Sequence, residues 1–238
     1  MFRDFDRRIE HERSRWTVGK RAAFAAPALV TALLAAAGVT SLSLSPTNIA
    51  SGGSSTGTVT VSGLATLGLT QSVSLTSSNT AIATVPPSVI IGAKTQNGTF
   101  TAHGVAGAAG CPVISARVGT TIPKSAMLFV HPPAATGLLR ITVPTNGAVG
   151  GSSVTGQLTW MAVPPAGGVV VQLSSTSPKA TVPATVTIPP GAVNEVGVAA
   201  VPFTITTSVV APTTCAVITG TSGSAQARAL LKILTISG

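Results

Sequence analysis

Two stretches of this sequence occur twice, in the same order and about a hundred residues apart. Gly52-Gly53-Ser54-Ser55-Thr56-Gly57 returns as Gly150-Gly151-Ser152-Ser153-Val154-Thr155-Gly156. LTSSNTAIATVPPSVII (Leu75–Ile91) returns as LSSTSPKATVPATVTI (Leu173–Ile188). Thr99-Phe100-Thr101 then matches Pro202-Phe203-Thr204, and Cys111-Pro112-Val113-Ile114 matches Cys215-Ala216-Val217-Ile218. The offset drifts from 98 (52 to 150) to 104 (111 to 215), as small loop insertions produce. A unit this long exceeds a solenoid repeat and suits a β-sandwich domain.

Each unit reads as about seven short strands. In the first they fall near 41–45, 57–62, 71–76, 80–85, 88–91, 97–103, 112–118 and 125–130. Val59 and Val61 alternate with Thr58 and Thr60, and Val73 and Leu75 alternate with Ser72, Ser74 and Thr76. A period of two marks a half-buried strand. Pro86-Pro87, Asn97-Gly98, Pro164-Pro165 and Pro189-Pro190-Gly191 punctuate the strands. The expected organisation is domain 1 over 41–131, a Pro-Pro linker over 132–137, and domain 2 over 138–238.

The pattern SSN-x-x-x-A-x-VP-x-SV-x-I, followed by a Phe-Thr strand and a last apolar strand, resembles the bacterial immunoglobulin-like repeats of exported and surface proteins. The resemblance covers about residues 41–236. Lys179 and Glu195 mark departures in the second copy. It implies tandem immunoglobulin-like sandwiches with an extracytoplasmic structural or adhesive role, and it carries no catalytic residues.

Ahead of the repeats, Ala22 to Leu44 holds no charge. About 20 apolar residues span a bilayer core, so 22–44 is expected to be a transmembrane helix. Arg13, Arg15, Trp16, Lys20 and Arg21 would anchor it at the interface, with residues 1–21 cytoplasmic and the repeats outside. This places the chain in the inner membrane as a single-pass protein. The competing reading is a cleaved signal peptide, because Ala35-Ala36-Ala37-Gly38 is a plausible cleavage site. Either reading exports the repeats.

The charge inventory then limits the chemistry. The chain has 14 Lys and Arg against 5 Asp and Glu, but half of the bases and four of the acids precede Ala22. Beyond Arg21 there is one acid, Glu195, and seven scattered bases. General acid–base chemistry needs positioned titratable groups, and glycosidase chemistry needs two carboxylates. A calcium site needs several oxygen ligands, and His11, His103 and His131 do not make a zinc set. No catalytic, metal or cofactor residues are assigned, and no small-molecule substrate. The bases form no stripe that would track a phosphate backbone, so nucleic acid is not an expected partner.

Cys111 and Cys215 hold equivalent places, and neither unit has a second cysteine for an intradomain bridge. They are expected to be two separate, mostly buried thiols. A bridge between domains would require the units to fold back until the two strand ends lie within about 6–7 Å, which a short Pro-Pro linker makes awkward; a bridge to a partner is a third reading. Trp160 and Met161 are expected to pack in the second core or, alternatively, to contact a partner, since Trp is enriched at hot spots. The expected function is a non-catalytic, membrane-anchored structural subunit. Its sandwiches would pack on other membrane-protein subunits of a larger complex, such as a photosynthetic or respiratory one. The alternative is an exported surface adhesion or glycan-binding module.

Overall fold

A computed structural model describes residues 38–62, 69–133, 135, 137–190 and 198–236. All of its regular structure is β. The first unit contributes β1 (Gly38–Ser45), β2 (Asn48–Ala50), β3 (Ser54–Ser62), β4 (Gln71–Ser77), β5 (Ala83–Thr84), β6 (Ser88–Ile91), β7 (Asn97–Gly104), β8 (Val113–Arg117), β9 (Lys124–Met127) and β10 (Phe129–His131). The second contributes β11 (Leu139–Thr142), β12 (Ala148–Val149), β13 (Ser153–Trp160), β14 (Val169–Ser175), β15 (Ala180–Thr181), β16 (Thr185–Ile188), β17 (Ala199–Thr207), β18 (Thr214–Ser222) and β19 (Ala225–Leu234).

The two units share one topology. Sheet β1-β3-β7-β5 and sheet β6-β4-β8-β9 form the first; β11-β13-β17-β15 and β12-β19-β18-β14-β16 form the second. The chain crosses between sheets from β3 to β4 and again from β7 to β8, which makes an immunoglobulin-like sandwich. In both units a short strand after the first one turns to pair in parallel with the last: β2 with β10, and β12 with β19.

Alternation explains the cores. Val59 and Val61 of β3, Val73 and Leu75 of β4, and Ile114 of β8 face inward and are buried, together with Ile91 and Leu128. Leu139, Leu158, Val171, Ile188, Ile205, Ile218, Leu231 and Ile233 fill the second core. The two cores are separate clusters.

The structure corrects the N-terminal boundary. Residues 38–44 are strand, not the end of a transmembrane helix: β1 pairs antiparallel with β3, Leu42 opposite Val59 and Leu44 opposite Gly57. Val39, Leu42 and Leu44 turn toward the core, and Ser43 and Ser45 do not. Period two thus prevails over mean hydropathy in this stretch. The remaining apolar residues, 22–37, and the anchor residues Arg13, Arg15, Trp16, Lys20 and Arg21 lie outside the described residues. Among the described residues no helix is long and apolar enough to cross a membrane. The expected strand at 80–85 shortens to β5, because Asn79 Oδ1 accepts from Ala81 N at 3.0 Å and closes a turn there.

The repeated glycines have a packing reason. Gly57 sits directly opposite Phe100, and Gly156 opposite Phe203. A Cβ at either glycine would collide with the phenyl ring facing it. The ring covers the bare backbone, and the missing side chain makes room for the ring. Phe100 and Phe203 are buried in this way at equivalent places in the two cores.

The copies differ where the first unit buries unpaired polar groups. Ser55 Oγ and both amide atoms of Gln71 are buried without a hydrogen-bond partner among the described residues. Their counterparts are Val154 and Val169. Gln71 lies opposite Ile91 as Val169 lies opposite Ile188. An unsatisfied buried polar group costs about 1–3 kcal/mol. Gln71→Val should therefore raise the denaturation midpoint of the first sandwich by about that free energy. A loss of stability in urea titration would show that the amide is satisfied.

Candidate functional site at the domain junction

The two sandwiches meet through a small apolar contact. The first contributes the loop between β7 and β8 and strand β10. The second contributes the outward face of β18 and β19. Along β18, Ala216 and Ile218 point into the second core, while Cys215 and Val217 are buried on the opposite side. Leu230 of β19 does the same between core residues Ala229 and Leu231. Ala109, Cys215, Val217 and Leu230, flanked by Cys111 and Phe129, form a third small apolar cluster.

Cys111 and Cys215 are joined by a disulfide at the centre of this cluster, with Cα atoms 6.1 Å apart. This corrects the expectation of two separate thiols. The Pro-Pro linker is no obstacle: Cys111, just ahead of β8, comes beside Cys215 near the start of β18.

Two cations of β19 lie along the same face, Lys232 opposite Cys215 and Arg228 opposite Thr219. Arg228 Nη1 donates to Gly107 O at 3.0 Å. Lys232 Nζ stands 4.4 Å above the centre of the Phe129 ring. Among the described residues, which include no Asp or Glu, neither has a carboxylate partner. Beside them a cleft of about 540 Å³ opens between the domains, lined by Asn48, His131 and Pro132 on one side and by residues 141–145, 228–230 and Lys232 on the other. His131 Nε2 lies 3.3 Å from Asn48 Oδ1. Burial, and then the charge of Lys232, push the His131 imidazole below its ordinary pKa.

The other sequence candidates do not gather here. Trp160 ends β13 between Leu139 and Ala199, half-buried against the second core. Met161 is exposed, and its N–H donates to Leu138 O at 2.8 Å. His103 hydrogen-bonds Ser54 across β3 and β7, Nδ1 to Oγ 2.9 Å. Glu195 and His11 lie outside the described residues. Among the described residues no three His, Cys, Asp or Glu side chains gather as a metal set would require.

Sequence reasoning missed Val217, Arg228, Leu230 and Lys232. One signal was present. Cys215-Ala216-Val217-Ile218 and Ala229-Leu230-Leu231 break the period of two that β13 and β14 keep, and a strand apolar on both faces needs cover on both.

No protein-family model matches the chain, and no curated protein matches it. Among solved structures it is similar to the Yersinia pseudotuberculosis adhesin InvE at 14% identity and TM-score 0.32, covering 81% of this chain and 58% of that one. It is also similar to the Escherichia coli adhesin FdeC at 15% identity and TM-score 0.32, covering 84% and 66%. Domains 5–6 of the S-layer protein SbsC match at 17% identity and TM-score 0.30, covering 84% and 99%. The chain thus spans little more than half the InvE structure. At such TM-scores the matches carry no argument about role; the sandwich assignment rests on the strand pairing described above.

Proposed function

We propose that this chain is an exported, non-catalytic surface module that presents two immunoglobulin-like sandwiches as one rigid adhesive or structural body. The interdomain disulfide is the observation that carries the reading. Such bridges persist in oxidising surroundings outside the cytosol, and this one fixes the angle between domains instead of stabilising either core. The residue inventory supports a non-catalytic role, since only Glu195 among the acids follows Arg21. The alternative, a membrane-complex subunit, rests on residues outside the described part.

The test uses the native protein in intact cells. An impermeant amine-reactive label should modify the sandwich lysines, and the intact mass after alkylation without reductant should show no free thiol. Unlabelled protein with both cysteines alkylated would place it in a reducing compartment and end the proposal. Stoichiometric co-purification with other membrane subunits in detergent would restore the membrane-complex reading.

A further inference from the structure

We infer that the junction cleft is a binding site for a linear acidic polysaccharide, held by Arg228 and Lys232. The inference rests on the surface-module reading and names the ligand class such a module would take. Three observations lead to it.

The first is uncompensated charge. A guanidinium has five N–H donors and an ammonium three. Among the described residues Arg228 gives one bond, to Gly107 O, and Lys232 only caps a ring. Both line the cleft with donors to spare, and no carboxylate meets them among the described residues.

The second is spacing. Residues 228 and 232 lie on the same face of one strand, so their Cα atoms stand roughly 13 Å apart. A single small anion does not bridge that distance. A chain that repeats its acidic group can touch both cations and lay its C–H faces on the half-buried Val143 and Pro144 of the cleft wall.

The third is the rest of the lining. Asn48, Thr142 and Thr145 supply an amide and two hydroxyls around the same opening, groups that hydrogen-bond sugar hydroxyls. Nucleic acid suits the cleft less well. Single-strand binding relies on exposed aromatic platforms, and no Phe, Tyr or Trp is among the residues that line the cleft.

The experiment measures binding of the full-length protein to polygalacturonate, which is carboxylated, to heparin, which is sulfated, to neutral dextran and to a single-stranded oligonucleotide, all at about 0.15 M ionic strength. Binding to at least one acidic polysaccharide but not to dextran is expected. Arg228→Gln with Lys232→Gln should weaken it at least tenfold. Lys94→Gln with Lys124→Gln, remote from the cleft, should change it less than twofold. Because Arg228 also braces the junction, Thr142→Glu provides a second variant: its side chain is exposed on the cleft wall, and it should weaken binding comparably while the disulfide still forms. The proposal is overturned by no binding to either acidic polymer, by equal losses in the remote and cleft pairs, or by an oligonucleotide affinity matching the polysaccharides. None of these outcomes depends on where the cell places the protein, so the surface-module reading can stand or fall separately.

Discussion

Cys111→Ser with Cys215→Ser should leave both sandwiches folded and release them from each other. The argument compares the bridge with everything else at the junction. Only four side chains are buried there, of which Ala109 and Cys215 are small. The polar ties are one arginine bond to a carbonyl and one cation over a ring. An exposed cation–π contact is worth about 0.5–1 kcal/mol. The bridge closes a loop of 104 residues. In the chain-entropy account, a closure of that size is worth roughly 4–5 kcal/mol. The cross-link therefore outweighs the noncovalent ties. The serine variant should show a larger radius of gyration by X-ray scattering, new protease cleavage near Pro132-Pro133, and unchanged far-ultraviolet circular dichroism. An unchanged scattering profile would mean that the apolar patch alone holds the angle.

Removing Phe100 should damage the first sandwich more than any surface change. Phe→Ala in a core costs about 3–5 kcal/mol, and here it also uncovers the Gly57 backbone. Gly57→Ala should cost about 1–3 kcal/mol, because the new methyl has to displace the ring. The two changes share one cause, so they should not add. With the ring gone, the alanine at 57 meets no obstacle, and the double variant should be nearly as stable as Phe100→Ala alone. Gly156 and Phe203 repeat the arrangement in the second sandwich and give an internal replicate. Additive losses in urea titrations of either pair would refute the contact.

The fold was legible because the repeat and the period of two are local signals. Val59, Val73, Leu75 and Ile114 stand in the core as their alternation requires. The expected strand at 41–45 lies within β1, and only the overlapping helix expected over 22–44 fails there. β2 and β12 were not legible, since three- and two-residue strands carry no period. The junction was legible only in part. Cys111 and Cys215 stood out by their equivalence, but their pairing depends on the angle between domains, which no local pattern encodes. Arg228 and Lys232 looked like scattered bases because their shared strand face appears only once β19 is placed against Phe129 and Gly107.

The bridge also decides how the chain bears load. A pull applied at the two ends of the described segment enters at β1 and leaves at β19. The covalent path runs from Cys111 straight to Cys215. The intervening residues, with the linker and most of the second sandwich, form a closed bight that tension cannot draw out. Fully extended, that length would be about 340–370 Å. While the bond is intact, the chain between its ends is a short tether; once the bond is reduced, the same chain has slack to pay out.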